Sequence, residues 1–589
     1  MSGPYLHLEA ARKPVTAVHV QAQDLLVVDR ILEPQTAAKF FGFAFGNPLP
    51  NGTRPSIPTL VEEELAILYG SYPPDSNGKS IMDRIMARIG SDEDSGRLCG
   101  VGKNIQSLKS RLWEGITPLS DQRWQEKELH LQENFDQGCQ HLSAVLAVFE
   151  YLNTQRVQEN LRVTFNLIYD LCEELEKVIN KRRTETGVEL VSVASLWTMY
   201  MTAHLEVVTQ RAHKWVTQHV DSLRAPLMQE LLSYQSSFEG IGIPDSRQWQ
   251  LMDALHVLLE ISVRADYNIM IPMEGYKGYV PPGNSSGPPE LYTKDVTERG
   301  PAYSQRVKHV SHQIMAKRII EKFSCGDKSK QTSGESYHDS AMDQLIAQEQ
   351  ARREMRGDSI DATLQEPWIV ATLARMEYLK EIGSFKVCGL AIYRLTYGQS
   401  EQEWKEFVQN LETSIFAWGA GQTGSDTIKP YLKLHWIDGK ELGFAEGDTE
   451  AAKRHFNETF NDNSAENESK IPLVLQLNTF LVIDSASFAS YTTKAEDPTS
   501  SGMLPGDSTG FVLAVDPAFD PVNGISRPDE SPDYNGHMRI LGGLVWGDLY
   551  AQLKSQSTEL DDLWPLAMHH PNQVYVGPVT PLQVLSWQK

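Results

Sequence analysis

The chain has 589 residues, with 54 Lys and Arg against 77 Asp and Glu, a formal net charge of −23. Hydrophobic residues make up 41% of it, which excludes a chain disordered throughout. A pI near 5.2 argues against a general nucleic-acid binder or a protein of anionic membranes, since both present a net positive face.

Composition and pattern divide the chain into four stretches. Residues 1–135 are mixed. Met1–Arg30 lacks the apolar centre of a secretory signal, and Val15–Ile31 clusters Val, Ile and Leu as one or two strands do. Phe40–Pro58 reads as an ordered loop, while Thr59–Tyr69 and Ser80–Ile89 read as short helices.

Residues 136–270 carry the strongest periodicity. Leu142, Val145, Phe149 and Leu152 step by three and four, and Val157, Leu161, Ile168, Leu171, Leu175 and Val178 continue the stripe. Lys181, Arg182 and Arg183 before Gly187 form a helix end. Val193–Trp215, Leu223–Tyr234 and Gln248–Val263 bring the total to five segments of an antiparallel bundle.

Residues 271–367 open with a Pro- and Gly-rich linker, 271–303. A basic amphipathic helix, Ser304–Phe323, follows with Arg306, Lys308, Lys317, Arg318 and Lys322. It is the candidate docking helix for an acidic partner or for this protein's own bundle. Ser324–Ser340 reads as mobile and Ala341–Arg356 as a charged helix facing solvent or a partner.

Residues 368–589 switch to strand–helix alternation. Strands are expected at Phe385–Thr396, Tyr431–Ile437, Leu473–Ile483 and Gly510–Val515, with helices at Glu401–Trp418 and Thr449–Phe460. Met538–Leu553 reads as a strand passing into a helix. The fold class is therefore α+β: a mainly helical N-terminal and central bundle, then a C-terminal α+β sandwich with helices on one face of its sheet.

Within that last stretch, Cys388–Ile415 and Tyr431–Phe456 resemble a module found in uncharacterised proteins of filamentous fungi. A strand from Gly389 to Tyr397 precedes a helix led by Trp404, with Leu395 where the module has Thr and Thr396 following it. The resemblance spans roughly 385–570, implies a fungal origin, and brings no activity, cofactor or site residue with it.

Four motifs look chemical until their context is read. Gly419–Gly424 spells the dinucleotide fingerprint, but a helix precedes it and a strand follows, the reverse of what phosphate binding at a helix start needs. Gly506–Gly510 has nucleophile-elbow spacing, yet a loop precedes it, so it reads as a turn opening a strand. Gly100–Asn104 lacks the first P-loop glycine and the Ser or Thr after Lys103. Asp92–Gly96 begins like a calcium loop, with Arg97 and Lys103 where Gly and Glu belong.

His204, His213 and His219 are spaced by nine and six, which puts them on different faces of a helix rather than around a metal. Five scattered cysteines (Cys99, Cys139, Cys172, Cys325, Cys388) read as free thiols in a reducing compartment. No run reaches the ~20 apolar residues of a membrane span. The expectation is a cytoplasmic or nuclear protein with no cofactor, metal, nucleic-acid or membrane partner. It names no catalytic residue and favours a non-catalytic interaction or scaffold role. An accessory enzyme of fungal specialised metabolism is the alternative, and a self-assembling structural protein the third option.

Overall fold

The computed structural model describes residues 25–70, 78–234, 246–280, 296–324, 343, 346–352, 354–355, 365–381, 387–461, 473–492, 503–520, 530–568 and 570–578. Val15–Asp24, Pro281–Thr293 and the stretch expected to be mobile at 325–340 lie outside them.

The chain begins with β1 (Leu26–Arg30), α1 (Gln35–Ala44), α2 (Leu65–Tyr69), α3 (Ile81–Ile89) and β2 (Leu98–Gly102), which pairs antiparallel with β1. α3 starts where Ser80 and Asp83 form a reciprocal capping box. The loop expected from Phe40 begins only after Ala44, because Phe40, Phe41 and Phe43 are drawn into α1 by the core they fill.

Next come α4 (Lys103–Trp113), α5 (Asp121–Glu126), α6 (Phe135–Leu152), α7 (Gln155–Thr186), α8 (Val193–Ser233) and α9 (Arg247–Asn268). Gly187 closes α7 in the left-handed conformation at φ 73°, as the preceding cations suggested. The two segments expected at 193–215 and 223–234 are one helix that runs through Pro226. Leu223, Leu227 and Leu231 carry the buried stripe past that proline, so packing outweighs the lost hydrogen bond. One apolar core extends from Val27 to Tyr276, joining the N-terminal stretch to the bundle. Phe40, Phe165 and Trp197 meet at its centre, each side chain worth about 2–3 kcal/mol of burial.

Residues 271–280 are not linker: Ile271, Met273 and Tyr276 are buried against the bundle. The basic helix, α10, spans Val296–Ser324 and includes Pro301. It lies on α9 through Tyr303, Val307 and Val310. The charged segment after it packs beside it through buried Ala347, Ala351 and Met355. A single carboxylate pins all of this: Asp266 receives the Tyr303 hydroxyl, His213 Nε2 at 2.7 Å and Arg352 Nε at 2.7 Å.

The second lobe opens with α11 (Pro367–Glu381), a helix ahead of the first expected strand. Then come β3 (Val387–Arg394), α12 (Glu401–Phe416), β4 (Leu432–Asp438), α13 (Thr449–Phe456), β5 (Leu473–Leu475), β6 (Phe480–Ile483), α14 (Ser485–Thr492), β7 (Phe511–Val515) and β8 (His537–Leu541). The chain after β8 is helical to Ser555, and α15 (Leu560–Met568) and β9 (Val574–Tyr575) follow.

Strand order is β4-β3-β6-β7-β8-β9, with β5 lying end to end with β6 along β3. The expected strand 473–483 is thus two short ones interrupted at Gln476–Thr479. β3, β4 and β6 are parallel, whereas β7 is antiparallel to both its neighbours. Helices cover both faces, not one. Cys388, Leu390 and Ile392 share a core with Phe407, Leu411 and Ile415 of α12. Ala391, Tyr393 and Leu395 point the other way, to Ala452 and Phe456 of α13. The fold is α+β, and among the described residues no helix is long and apolar enough to cross a membrane.

Candidate functional site

The helix after β3, α12, and the helix after β4, α13, lie on opposite faces of the sheet, so the chain diverges between the C-terminal ends of β3 and β4. In open α/β sheets that divergence leaves a crevice beyond the strand C-termini where ligands bind. Here the chain's own loop 438–448 folds into that region. Gly439 N donates to Arg394 O at 3.1 Å and Gly447 N to Leu395 O at 2.9 Å. Glu446 then offers a carboxylate oxygen to the Thr396 hydroxyl at 3.0 Å and the Tyr397 amide at 3.2 Å. The start of α12 is satisfied internally as well, since Ser400 and Glu403 form a capping box.

The second concentration of chemistry is the seam between the lobes. Cations on the helical side enter carboxylates on the sheet side: Lys103 meets Asp562 at 3.0 Å, Arg111 meets Asp548 at 2.5 Å and Arg211 meets Glu366 at 3.3 Å. Asp507 takes both Arg123 at 2.8 Å and Lys127 at 2.5 Å through one oxygen. Burial pushes the Lys127 ammonium down to about 8 although Asp507 pulls the other way, and Arg123 adds repulsion. Tyr575 and Gln552 donate to the same Asp548 carboxylate at 3.0 and 2.5 Å. Apolar anchors are exchanged too, with Ile116 in the sheet lobe's core and Leu504 in the helical one.

Three concavities adjoin the seam. A cavity of about 30 Å³ touches Ser107, Arg111, His141, Gln552 and Tyr575, room for one or two waters. Burial, then the nearby Lys127, His219 and Arg123, hold His141 down at about 3, so it is neutral. A cleft of about 120 Å³ is bounded by Arg211, Lys214 and Gln218 opposite Gly421, Gln422 and Thr423. An open cleft of about 870 Å³ runs between β1 with α3 and the turn Gln556–Glu559, past Arg30, Lys103, Glu530 and Asp562. Below it Lys109 donates to Asp29, Glu33 and the Arg30 carbonyl, each at 2.8 Å, and Tyr151 donates to Asp29. That cluster closes on itself.

The sequence motifs fall into these places without becoming chemistry. Gly419–Gly424 follows α12 as a capping turn, with Gly419 at φ 77° and Gly424 at φ 88°, and Ser425 donates back to the Gly419 carbonyl. The loop does face the 120 Å³ cleft, but it leads into only a four-residue helix, Ser425–Ile428. Gly506 turns at φ 79°, and a Cβ there would stand 3.0 Å from the Glu126 carbonyl. What matters in that motif is Asp507 rather than Ser508, a role that turn spacing does not reveal. Lys103 of the false P-loop starts α4 and joins the seam.

His204 is buried against Trp113 and Tyr200 and is pushed down to about 3 by burial. Its Nε2 finds no hydrogen-bond partner among the described residues. His213 serves Asp266, and His219 Nδ1 meets the Trp215 carbonyl at 2.8 Å. Among the described residues no three His, Cys, Asp or Glu side chains are grouped so as to hold a metal. The docking helix is engaged by this chain's own bundle through its first half, leaving Lys308, His309, His312 and Lys317 exposed.

No known protein family, curated protein or solved structure matches this chain.

Proposed function

We propose that this protein is a non-catalytic interaction protein of the cytoplasm, and that residues 385–570 make it a protein of filamentous fungi. The observation that carries this reading is Glu446. Its carboxylate takes up the amide and hydroxyl at the end of β3, in the region where a doubly covered sheet places a small-molecule ligand. Buried charged groups support it from another side. Asp29, Lys109, Asp266, Asp507 and Asp548 are held in ion pairs that fix structure.

Affinity purification of the tagged full chain from its host, with proteins and small molecules both identified by mass spectrometry, tests the reading. A protein recovered at fixed stoichiometry is the expected result. A tightly held small molecule overturns it in favour of the second reading, an accessory enzyme using the 870 Å³ cleft. The specific observation behind that alternative is the cleft's size with Arg30, Lys103 and Asp562 lining it.

A further inference from the structure

β4 is the outermost strand of the large sheet, and among the described residues only β3 pairs with it. Its seven residues, about 23 Å of chain, present a row of backbone amides and carbonyls outward. Lys433 and His435 lie exposed on one face, while Leu434 and Trp436 lie half-buried on the other. Beside this second face, a groove of about 400 Å³ follows α12 past Trp404, Lys405, Val408, Gln409, Glu412 and Thr413. The Trp436 ring meets Trp404 edge-on at 5.8 Å and its Nε1 donates to Glu412 at 3.0 Å, so the groove opens directly next to the strand edge.

We propose that β4 is a strand-addition site for an extended segment of a partner protein in which apolar and acidic side chains alternate. The inference rests on the interaction reading and names its partner class. An unpaired strand edge is complementary to another extended backbone and to little else. The pleat then sorts the incoming side chains. Those on one face reach Leu434, Trp436 and the groove, and those on the other reach Lys433 and His435.

Charge favours an acidic segment. Lys433 is the one charged side chain on the exposed face of β4, while Lys429 is paired with Asp426 at 3.7 Å and Asp438, on the other face, with Arg394 at 3.3 Å. The exposed face of this edge therefore offers a cation, Lys433, in a chain of net charge −23. A second copy is disfavoured, because antiparallel self-pairing sets Lys433 and His435 of both strands on a single face.

The test uses the full chain and fluorescent eight-residue peptides of alternating Glu and Val, their Lys and Val counterpart, and the Glu–Val peptide N-methylated at alternate residues. Anisotropy is expected to show saturable binding of the Glu–Val peptide and about tenfold weaker binding of the other two. Lys433→Glu, at an exposed position, is expected to reverse the preference between the two charged peptides. Equal binding of all three peptides, or no effect of Lys433→Glu, overturns the proposal. So does a dimer that Lys433→Glu dissociates, or a rise in peptide affinity when residues 463–469, which include Glu466 and Glu468, are replaced by a Gly-Ser linker. Failure here with a stoichiometric protein partner still recovered from the host leaves the interaction reading standing. A bound small molecule defeats that reading instead.

Discussion

In the helical lobe, buried carboxylates find their cations at home. Asp29 and Glu33 close on Lys109, Glu64 on Arg183, and Asp266 on Arg352 and His213. In the sheet lobe, Asp507, Asp548, Asp562 and Glu366 are paired across the seam with Lys127, Arg123, Arg111, Lys103 and Arg211. Every one of these seam cations comes from the helical side and every anion from the sheet side. Separating the lobes would strand charge of one sign on each surface, so the pairing sets register as well as attraction. The two lobes differ in surface as well: the helical lobe packs the first half of its basic helix against α9, whereas among the described residues only β3 pairs with β4.

The comparison breaks most easily at Asp507. Asp507→Asn leaves Arg123 and Lys127 buried with no carboxylate between them, and is expected to cost about 3–5 kcal/mol in urea unfolding. Replacing Asp507, Arg123 and Lys127 together by Leu, Met and Met is expected to cost less than the single change. If the triple variant is the weaker one, the pairs stabilise the seam on balance and do not merely specify it.

Acid probes the helical lobe's neutral histidines. His204 sits at about 3 when folded against an ordinary 6.5. Between those values the unfolded chain binds more protons, so stability is lost as pH falls from about 6.5 toward 3. The loss amounts to about 2 kcal/mol by pH 5 for one such histidine. His204→Phe, which fills a similar space and surrenders no Nε2 hydrogen bond, is expected to flatten the pH dependence by that amount.

Smaller effects sharpen the contrast. Tyr303→Phe removes one donor from Asp266 and is expected to cost about 1–2 kcal/mol, read as faster amide exchange in α10 before global unfolding. Lys103→Ala removes a pair whose Asp562 is partly exposed, and is expected to cost under about 1 kcal/mol, fading further with salt. An effect as large as that of Asp507→Asn would show that the seam's rim is as dry as its centre.

Much of the fold was legible because it is written in local periodicity. The apolar steps from Leu142 to Val178 bury as α6 and α7, and the alternation around β3 and β4 becomes sheet. Where local and tertiary signals disagree, the tertiary signal prevails. Phe40 is helical because the core receives it, α8 passes Pro226 because its leucines stay buried, β2 carries Gly100 and Gly102 where an apolar alternation would show, and the two-residue β9 is too short for any period to reveal. The candidate site was not legible. Asp507 reads as a turn residue, Lys103 as part of a failed phosphate loop and Glu446 as an ordinary surface acid.

By itself the amino-acid sequence determined where the long periodic helices and the alternating strands lie and which side of each is apolar, since both follow from spacing along one chain. It also placed Gly419–Gly424 just after a helix, where a phosphate loop would need a strand before it. Only the tertiary structure decided which charges meet. Lys127 and Asp507 are 380 residues apart, and their attraction acts through space once the two lobes have brought them to 2.5 Å.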